Sequence, residues 1–317
     1  MGANKYRSVY ELGLQIKANV ETIVTGVSDS VELVIAVLFS KGHVLIEDLP
    51  GTGKTTLARA LAASLASSFG RVQFTPDLMP SDITGLYFFN QKSGEFEFHR
   101  GPIFAQVLLA DEINRATPRT QSALLEAMQE RQVTVEGVTW KLPEPFIVIA
   151  TQNPLELEGT FPLPEAQLDR FMARCSLGYP SLESELHVLN SIESERALAD
   201  VQPVATAEEL LNAQQQVTQV EVEDSVARYL LEIVRSTRDY EGIEIGASTR
   251  SALALYRLSQ AIAIVNDRDF VIPDDIKRAA PYVLAHRLLL DAQGRMTGGT
   301  GIEIVQSILM GIPVPVR

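Results

Sequence analysis

The sequence predicts an α/β domain with a parallel sheet sandwiched by helices, followed by an all-α domain. Near the start of the chain, the apolar run His43–Ile46 leads through a glycine-containing loop into a helix-periodic stretch. Two more apolar runs, Val107–Ala110 and Phe146–Ala150, alternate with helical segments. Such alternation is typical of a parallel sheet covered on both faces. Beyond Pro180 the periodicity is helical only, which predicts a second domain.

The loop after the first strand has the residues of a phosphate-binding P-loop. In such a loop, backbone N–H groups at the start of a helix surround the phosphates, and glycines adopt conformations that a side chain would obstruct. Lys54 can reach the β- and γ-phosphates, and the Thr55 hydroxyl can ligate Mg²⁺. The strict pattern has a glycine where this chain has Asp48. The expected nucleotide-binding residues are Pro50, Gly51, Thr52, Gly53, Lys54, Thr55 and Thr56.

Composition limits the classes of protein that remain. At 317 residues the chain is long enough for about two domains. Its net charge of −13 argues against broad, sequence-independent binding of nucleic acid, which needs a basic surface. The one cysteine, Cys175, lies in an apolar context, so we expect a buried and inert thiol. Neither a secretory signal nor an apolar run long enough to cross a bilayer is visible, and we expect a cytoplasmic protein without a membrane segment.

Two of the later strands end in residues suited to the same site. Asp111 and Glu112 follow the apolar strand Val107–Ala110. After a P-loop, this pattern predicts that Asp111 lies in the Mg²⁺ shell and that Glu112 polarises an attacking water. Asn153 follows the next strand, where its amide would hold that water or sense the γ-phosphate; a turn residue before Pro154 is the alternative.

Two hairpins are predicted as insertions in the first domain. The first covers residues 85–100, and its aromatic residues alternate with Glu95 and Glu97, which suggests one solvent-exposed face. The second covers residues 131–143, turns at Gly137 and carries Trp140. An interaction role and a purely structural role both remain open for the first hairpin.

The second domain consists of predicted helices. They cover residues 181–197, 206–217, 223–238, 248–265 and 274–290, and we interpret the glycine-rich stretch 294–301 as a linker. Arg250 lies at a predicted helix start, where a cation opposes the helix dipole, so it either points at an anion or is an exposed surface arginine. We place the first domain at residues 1–179 and the second at 180–317.

Taken together, these segments resemble the MoxR family of AAA+ ATPases from about Val24 to Leu290. The resemblance is carried by five stretches: Gly101–Phe104, Asp111–Ala116, Ala123–Glu130, Thr151–Pro154 and Glu165–Phe171. It implies an AAA+ P-loop fold with a C-terminal α-helical lid. It also implies that Asp48 is compatible with nucleotide binding, since that position is variable in the family.

The resemblance assigns roles to individual residues. Gly51–Thr55 would form the Walker A motif, and Asp111 with Glu112 the Walker B motif. Asn153 resembles sensor one, and Arg250 resembles sensor two in the lid. Arg170 resembles an arginine finger that acts on the ATP of a neighbouring subunit. ATP and Mg²⁺ are therefore the expected ligands.

The expected function is Mg²⁺-dependent ATP hydrolysis coupled to remodelling or maturation of a protein client. The family resemblance implies a homo-oligomeric ring, a hexamer, and a partner with a von Willebrand factor A domain. A nucleotide-gated assembly scaffold with slow turnover is the alternative. A nucleic-acid motor is a further alternative, because related clades include helicases. We do not expect a nucleic-acid partner, because the predicted hairpins carry few cations: Lys92, Arg100, Arg131 and Lys141.

Overall fold

A parallel sheet of five strands forms the centre of the first domain. The computed structural model describes residues 5–49, 51–154, 159–178, 198, 200–296 and 299–315. The strands are β1 (Val44–Glu47), β2 (Phe69–Gln73), β5 (Val107–Asp111), β8 (Ile147–Gln152) and β9 (Ala173–Cys175). Their order is β2-β5-β8-β1-β9, and all neighbours are parallel. The carboxyl ends of all five strands therefore meet at one edge of the sheet.

Helices cover both faces of this sheet, as the sequence predicts. The first-domain helices are α1 (Arg7–Glu21), α2 (Ser28–Phe39), α3 (Lys54–Ser64), α4 (Pro80–Thr84), α5 (Pro118–Glu130) and α6 (Glu165–Leu168). Val44 and Ile46 of β1 pack in one apolar cluster with α1, α2 and α3, whereas Leu45 packs in a second cluster with α5. Adjacent strand residues point to opposite faces, which explains the continuous apolar runs in β1, β5 and β8. Cys175 is buried, and burial raises the pKa of its thiol to about 12.

Both predicted hairpins are present. The first pairs β3 (Gly85–Asn90) with β4 (Glu95–Arg100), and the second pairs β6 (Gln132–Val135) with β7 (Val138–Lys141). Phe98 of the first stacks on Trp140 of the second, with ring centroids 4.9 Å apart and planes 16° apart. The Arg100 guanidinium lies 5.8 Å from the centre of the same indole. These ring contacts join the two hairpins.

The described part of the second domain is helical, with one short β-ribbon. Its elements are α7 (Ala207–Val217), α8 (Asp224–Ser236), β10 (Ile243–Ile245), α9 (Thr249–Val265), α10 (Pro273–Leu284), β11 (Leu289–Leu290), α11 (Ala292–Met296) and α12 (Gly301–Gly311). β10 and β11 pair antiparallel. The predicted helix at 181–197 and the domain boundary near Pro180 lie outside the described residues.

Two predictions for the second domain are wrong. The helix expected to reach Leu290 ends at Leu284 and is followed by a 3₁₀ turn, Ala285–Arg287. Its apolar pattern continues past this point because Leu289 and Leu290 form a strand, and Leu288 and Leu290 pack against the same core. The stretch 294–301 is not simply a linker, because α11 overlaps its start and α12 begins at Gly301, capped by Thr300 and Glu303. None of the helices in the described part of the chain combines the length and apolar character needed to cross a membrane.

His43 fixes the amino end of β1. Its Nδ1 accepts a hydrogen bond from the Val148 N–H at 2.9 Å, so the proton lies on Nε2, which is 3.2 Å from the Met128 carbonyl oxygen. Burial, together with the charge of Arg131, lowers the pKa of His43 to about 3. The folded chain therefore keeps this imidazole neutral under conditions where the unfolded chain protonates it.

We expect the His43→Gln variant to be less sensitive to acid than the wild type. The unfolded histidine binds a proton below about pH 6.5, whereas the folded one does so only near pH 3, so this residue lowers the unfolding free energy as pH falls. The contribution is up to about 1.4 kcal/mol per pH unit. Urea denaturation between pH 7 and pH 4 measures the slope. His99→Gln, on the exposed face of β4, is the control, and equal slopes for His43→Gln and wild type would contradict the assignment.

Candidate active site

The predicted P-loop lies at the carboxyl edge of the sheet, between β1 and α3. Gly51 and Gly53 both have φ of +86°, and a Cβ added at either position would meet no atom within 4 Å. The positive φ, rather than lack of space, is what requires glycine there. Pro50 lies outside the described residues. The space beside both glycines is thus open, directly before α3 begins at Lys54.

Lys54 is held by the backbone of its own loop. Its Nζ donates to the carbonyl oxygens of Asp48 at 2.7 Å and Leu49 at 2.9 Å. The Thr52 hydroxyl donates to the Leu49 carbonyl oxygen at 3.2 Å. Burial lowers the pKa of Lys54, and the carboxylates of Asp48, Asp111 and Glu112 oppose that shift. The ammonium group is therefore placed between the loop and the two acidic residues at the end of β5.

Asp48, the residue that departs from the strict P-loop pattern, has a defined role in the fold. Its Oδ2 accepts hydrogen bonds from the backbone N–H groups of Leu177 at 2.6 Å and Gly178 at 3.0 Å. Its side chain is nearly buried. A glycine could not make these contacts. The carboxylate ties the phosphate-binding loop to the segment that leaves β9 toward the second domain.

Asp111 and Glu112 are fixed by the neighbouring strand β8. The Thr151 hydroxyl donates to Asp111 Oδ1 at 2.6 Å and accepts from the Glu112 N–H at 2.9 Å. Glu112 has φ of 57° and ψ of 50°, a left-handed conformation that is uncommon outside glycine. One buried hydroxyl thus orients both acidic residues at the same edge.

Three cationic or amide side chains engage the two carboxylates. Arg71 pairs with Asp111 Oδ2 at 2.8 Å. Glu112 Oε2 accepts from Gln73 Nε2 at 2.7 Å and from Arg115 Nη1 at 2.9 Å. Arg71 and Gln73 both reach the site because β2 is the neighbour of β5 and the two residues, two positions apart, lie on the same face of the sheet.

The structure brings most of the predicted site residues into one cavity of about 370 Å³. Thr52 lies beside it within the loop, while Arg71 and Gln73 form part of its wall. The predicted residues that line the cavity are Gly51, Gly53, Lys54, Thr55, Thr56, Asp111, Glu112 and Asn153.

Arg170 and Arg250 do not line this cavity. Both line a second one, also of about 370 Å³, together with Gly42 and His43 at the amino end of β1. β1 has four residues, so at about 3.3 Å per residue the two edges of the sheet are about 13 Å apart. Arg250 is also 3.6 Å from Asp169. Neither arginine reaches the P-loop of its own chain in this arrangement.

Sequence reasoning missed Arg71, Gln73 and Thr151. The sequence did carry a signal for Arg71 and Gln73. They are polar residues two positions apart, so they lie on the same face of β2. Thr151 could have been noticed as a hydroxyl residue near the end of an otherwise apolar strand. Its contacts depend on the pairing of β5 with β8, which a single strand pattern does not give.

The residues present fit a nucleoside triphosphate with a divalent cation. The loop offers an open cradle of backbone next to a lysine ammonium group, which suits phosphate. The Thr55 hydroxyl and the Asp111 carboxylate line the same cavity, and both are hard oxygen donors of the kind Mg²⁺ takes. A parallel sheet, a P-loop, paired carboxylates and a helical second domain define the AAA+ class of P-loop ATPases.

Comparisons with known proteins agree with this class. Residues 43–173 match the model of the ATPase family associated with various cellular activities (AAA), and residues 235–308 match that of the AAA lid domain. The chain is 41% identical to Chaperone MoxR1 of Mycobacterium tuberculosis, over 93% of this chain and 80% of that protein. It is 47% identical to YeaC of Bacillus subtilis, over 94% and 93% of the two chains. The chain belongs to the MoxR family of AAA+ ATPases.

Solved structures support the fold independently. A crystal structure from Cytophaga hutchinsonii, described as a candidate ATPase, superposes with a TM-score of 0.90 at 38% identity and covers 98% of this chain and 96% of that one. A full-length MCM homologue from Methanopyrus kandleri gives a TM-score of 0.59 at 19% identity, which shows a shared fold alone.

We expect Asp48→Gly, which restores the strict P-loop pattern, to destabilise the protein. Leu177 and Gly178 would lose a charged acceptor at a nearly buried site, at a cost of about 1–3 kcal/mol. Circular dichroism during thermal unfolding measures the loss as a lower Tm. Asp29→Asn is the control, because that side chain is 90% exposed. A Tm equal to that of the wild type would show that the Asp48 contacts do not stabilise the fold.

Proposed function

We propose that this protein is a ring-forming ATPase in which each subunit binds ATP at its own P-loop and completes the active site of a neighbour. The observation that carries the proposal is the position of Arg170 and Arg250. Both lie at the amino edge of the sheet, whereas the P-loop lies at the carboxyl edge. A head-to-tail contact between subunits brings opposite edges together and closes into a ring.

Within one subunit, the cavity residues have distinct roles. The loop around Gly51 and Gly53 and the Lys54 ammonium bind the phosphates. Thr55 and Asp111 would hold Mg²⁺, which when bound neutralises phosphate charge and orients the leaving group. Glu112 acts as the general base that polarises the attacking water, and Asn153 positions that water.

The contacts of Glu112 indicate a resting state. Its Oε2 already accepts two hydrogen bonds, from Gln73 and Arg115. That oxygen already has two donors, so a water that approached it would have to displace one of them. In this proposal Glu112 leaves these partners before hydrolysis, and a change in the position of β2 or of Arg115 provides the trigger.

The second cavity suits the phosphates of a neighbour's nucleotide. Among the described residues, five cationic side chains line it besides the buried Arg287, and Asp169 is the single acidic residue in its wall. The five are Lys41, Arg131, Arg170, Arg250 and Arg257. Cations that act on the γ-phosphate stabilise charge as the transition state forms.

We further propose that hydrolysis drives remodelling of a protein client in the cytoplasm, where ATP is available. The name of the relative Chaperone MoxR1 supports a chaperone-like role. The tip of the first hairpin supports a protein contact, because Phe89 and Phe96 are 52% and 69% exposed. The hexameric state and the von Willebrand factor A domain partner follow from the family resemblance.

One observation favours a second candidate, a nucleotide-gated scaffold with slow turnover. Glu112 is engaged by two partners, and a protein that kept it so would bind ATP and assemble without rapid hydrolysis. A nucleic-acid motor has less support, because the chain carries a net charge of −13.

We expect Arg170→Ala to abolish turnover without preventing ATP binding or assembly. The loss should be about 10³-fold or more, the scale of a missing arginine finger. ATP turnover is measured against protein concentration, with size-exclusion chromatography of the same samples. For the wild type, turnover per subunit should rise steeply as rings form.

Mixing supplies the control for action between subunits. Glu112→Gln subunits lack the base but carry an intact Arg170, so equal mixing with Arg170→Ala should restore about a quarter of wild-type turnover, because half of the bases and half of the fingers are intact. Wild-type turnover that is independent of assembly, or an active Arg170→Ala protein, would favour the scaffold or another arginine.

We also expect nucleotide binding to change the fluorescence of Trp140, the one tryptophan of the chain. α5 follows the Walker B residues and leads directly into the second hairpin, so movement at Glu112 should alter the stack of Trp140 on Phe98. Emission is recorded on adding ATP to Glu112→Gln protein. Phe98→Leu should reduce the change and Phe96→Leu should not. An unchanged spectrum at saturating ATP would exclude this coupling.

A further inference from the structure

We propose that Arg287 of the helical domain is a positioning residue for Arg170. It fixes the backbone on both sides of Arg170, so that the position of the lid sets the position of the finger offered to the neighbouring subunit. This inference rests on the proposed function, in which Arg170 acts between subunits.

The contacts of Arg287 enclose the Arg170 position. Its Nε donates to Asp169 Oδ1 at 2.7 Å, and its Nη2 donates to the carbonyl oxygens of Asp169 at 3.2 Å and Phe171 at 2.7 Å. Its Nη1 donates to the Met172 carbonyl oxygen at 3.2 Å and to that of Val283. Three of the five acceptors are backbone carbonyls of the segment that contains Arg170, on either side of it.

Every N–H group of the Arg287 guanidinium has a hydrogen-bond acceptor. An arginine has five N–H groups in a fixed planar fork, and each one here has an acceptor. The Arg287 side chain is only 3% exposed. A buried cation is costly unless all of its donors are satisfied, so its fork and the segment 169–172 fix each other's geometry. Lysine has three N–H groups on a flexible stem and cannot reproduce this match.

The segment around Arg170 has little regular structure of its own. α6 ends at Leu168 and β9 begins at Ala173, so Arg170 lies in the connection between them. Its other anchors are turn hydrogen bonds from Arg170 N–H to the Gln167 carbonyl oxygen at 3.2 Å and from Phe171 N–H to the Leu168 carbonyl oxygen at 3.1 Å, the buried Phe171 ring, and the hydrogen bond from Met172 N–H to the His43 carbonyl oxygen at 2.8 Å. The direction of the Arg170 side chain is therefore sensitive to Arg287.

Asp169 connects this anchor to the second lid arginine of the cavity. Its Oδ1 binds Arg287, and its Oδ2 is 3.6 Å from Arg250. The two arginines belong to different parts of the lid, the start of α9 and the turn after α10. A rotation of the lid moves both partners of Asp169 together, and Arg170 is the next residue in the chain.

The test uses Arg287→Gln and Arg287→Lys in the full-length protein. Assembly is followed by size-exclusion chromatography, nucleotide binding with a fluorescent ATP analogue, and turnover with and without added Glu112→Gln subunits. We expect both variants to assemble and to bind nucleotide as the wild type does. Turnover should fall by about tenfold to a hundredfold, since a displacement of about 1 Å has an effect of this size.

Mixing separates a displaced finger from a damaged protein. Glu112→Gln subunits should restore turnover to Arg287→Gln, because the P-loop of the variant is intact and the added subunits supply Arg170. Arg170→Ala subunits should restore none, because both then lack an effective finger. Arg268→Gln is the matched control, because it removes another lid arginine that forms a bidentate ion pair, here with Asp275. This variant should keep wild-type turnover.

Three results would overturn the proposal. The first is turnover of Arg287→Gln within twofold of the wild type. The second is restoration by Arg170→Ala subunits but not by Glu112→Gln subunits. The third is failure of both Arg287 variants to assemble while Arg268→Gln assembles, which would assign Arg287 to folding alone. A failure of the ring mechanism itself would appear in a different experiment. The turnover of Arg170→Ala, alone and mixed with Glu112→Gln, tests that mechanism without any change at Arg287.

Discussion

The common direction of the five strands is the constraint on which the site depends. Because all neighbours are parallel, the loop after β1 and the acidic residues after β5 emerge at the same edge of the sheet. The same rule sends Arg170, which precedes β9, to the opposite edge. The separation of the P-loop from Arg170 is thus a property of the topology and not of local side-chain choices. Chemistry that uses both would draw on two chains, as the proposed ring does.

Much of the architecture could be predicted from the sequence. Continuous apolar runs identified β1, β5 and β8, because strands covered on both faces are apolar at every position. Alternating aromatic and acidic residues identified the first hairpin, and helical periodicity identified α7, which Thr206 and Glu209 cap in the structure. The P-loop motif and the acidic pair Asp111–Glu112 also led to the residues that the structure gathers in one cavity, from Gly51 to Asn153, although their roles stay predictions.

What could not be predicted depends on contacts between distant segments. The end of α10 was missed because leucines of a helix and of a short strand give the same apolar pattern. Asp48 looked like a neutral departure from a motif, since its partners at Leu177 and Gly178 are about 130 positions away. Arg287 gave no signal at all. A buried arginine is recognised only by the carbonyl oxygens around it, and four of its five acceptors belong to a segment in the other domain.

The complete pairing of Arg287 has a consequence for the modularity of the chain. Two domains joined by a tolerant apolar contact can be exchanged between relatives as units, because apolar surfaces repack at small cost. Five hydrogen bonds from one side chain offer no such tolerance, since a replacement that lacks the guanidinium loses all of them at once. A lid grafted from a distant relative would therefore function only if it brought an arginine at this place. The natural unit of exchange is the lid together with the segment Asp169–Met172.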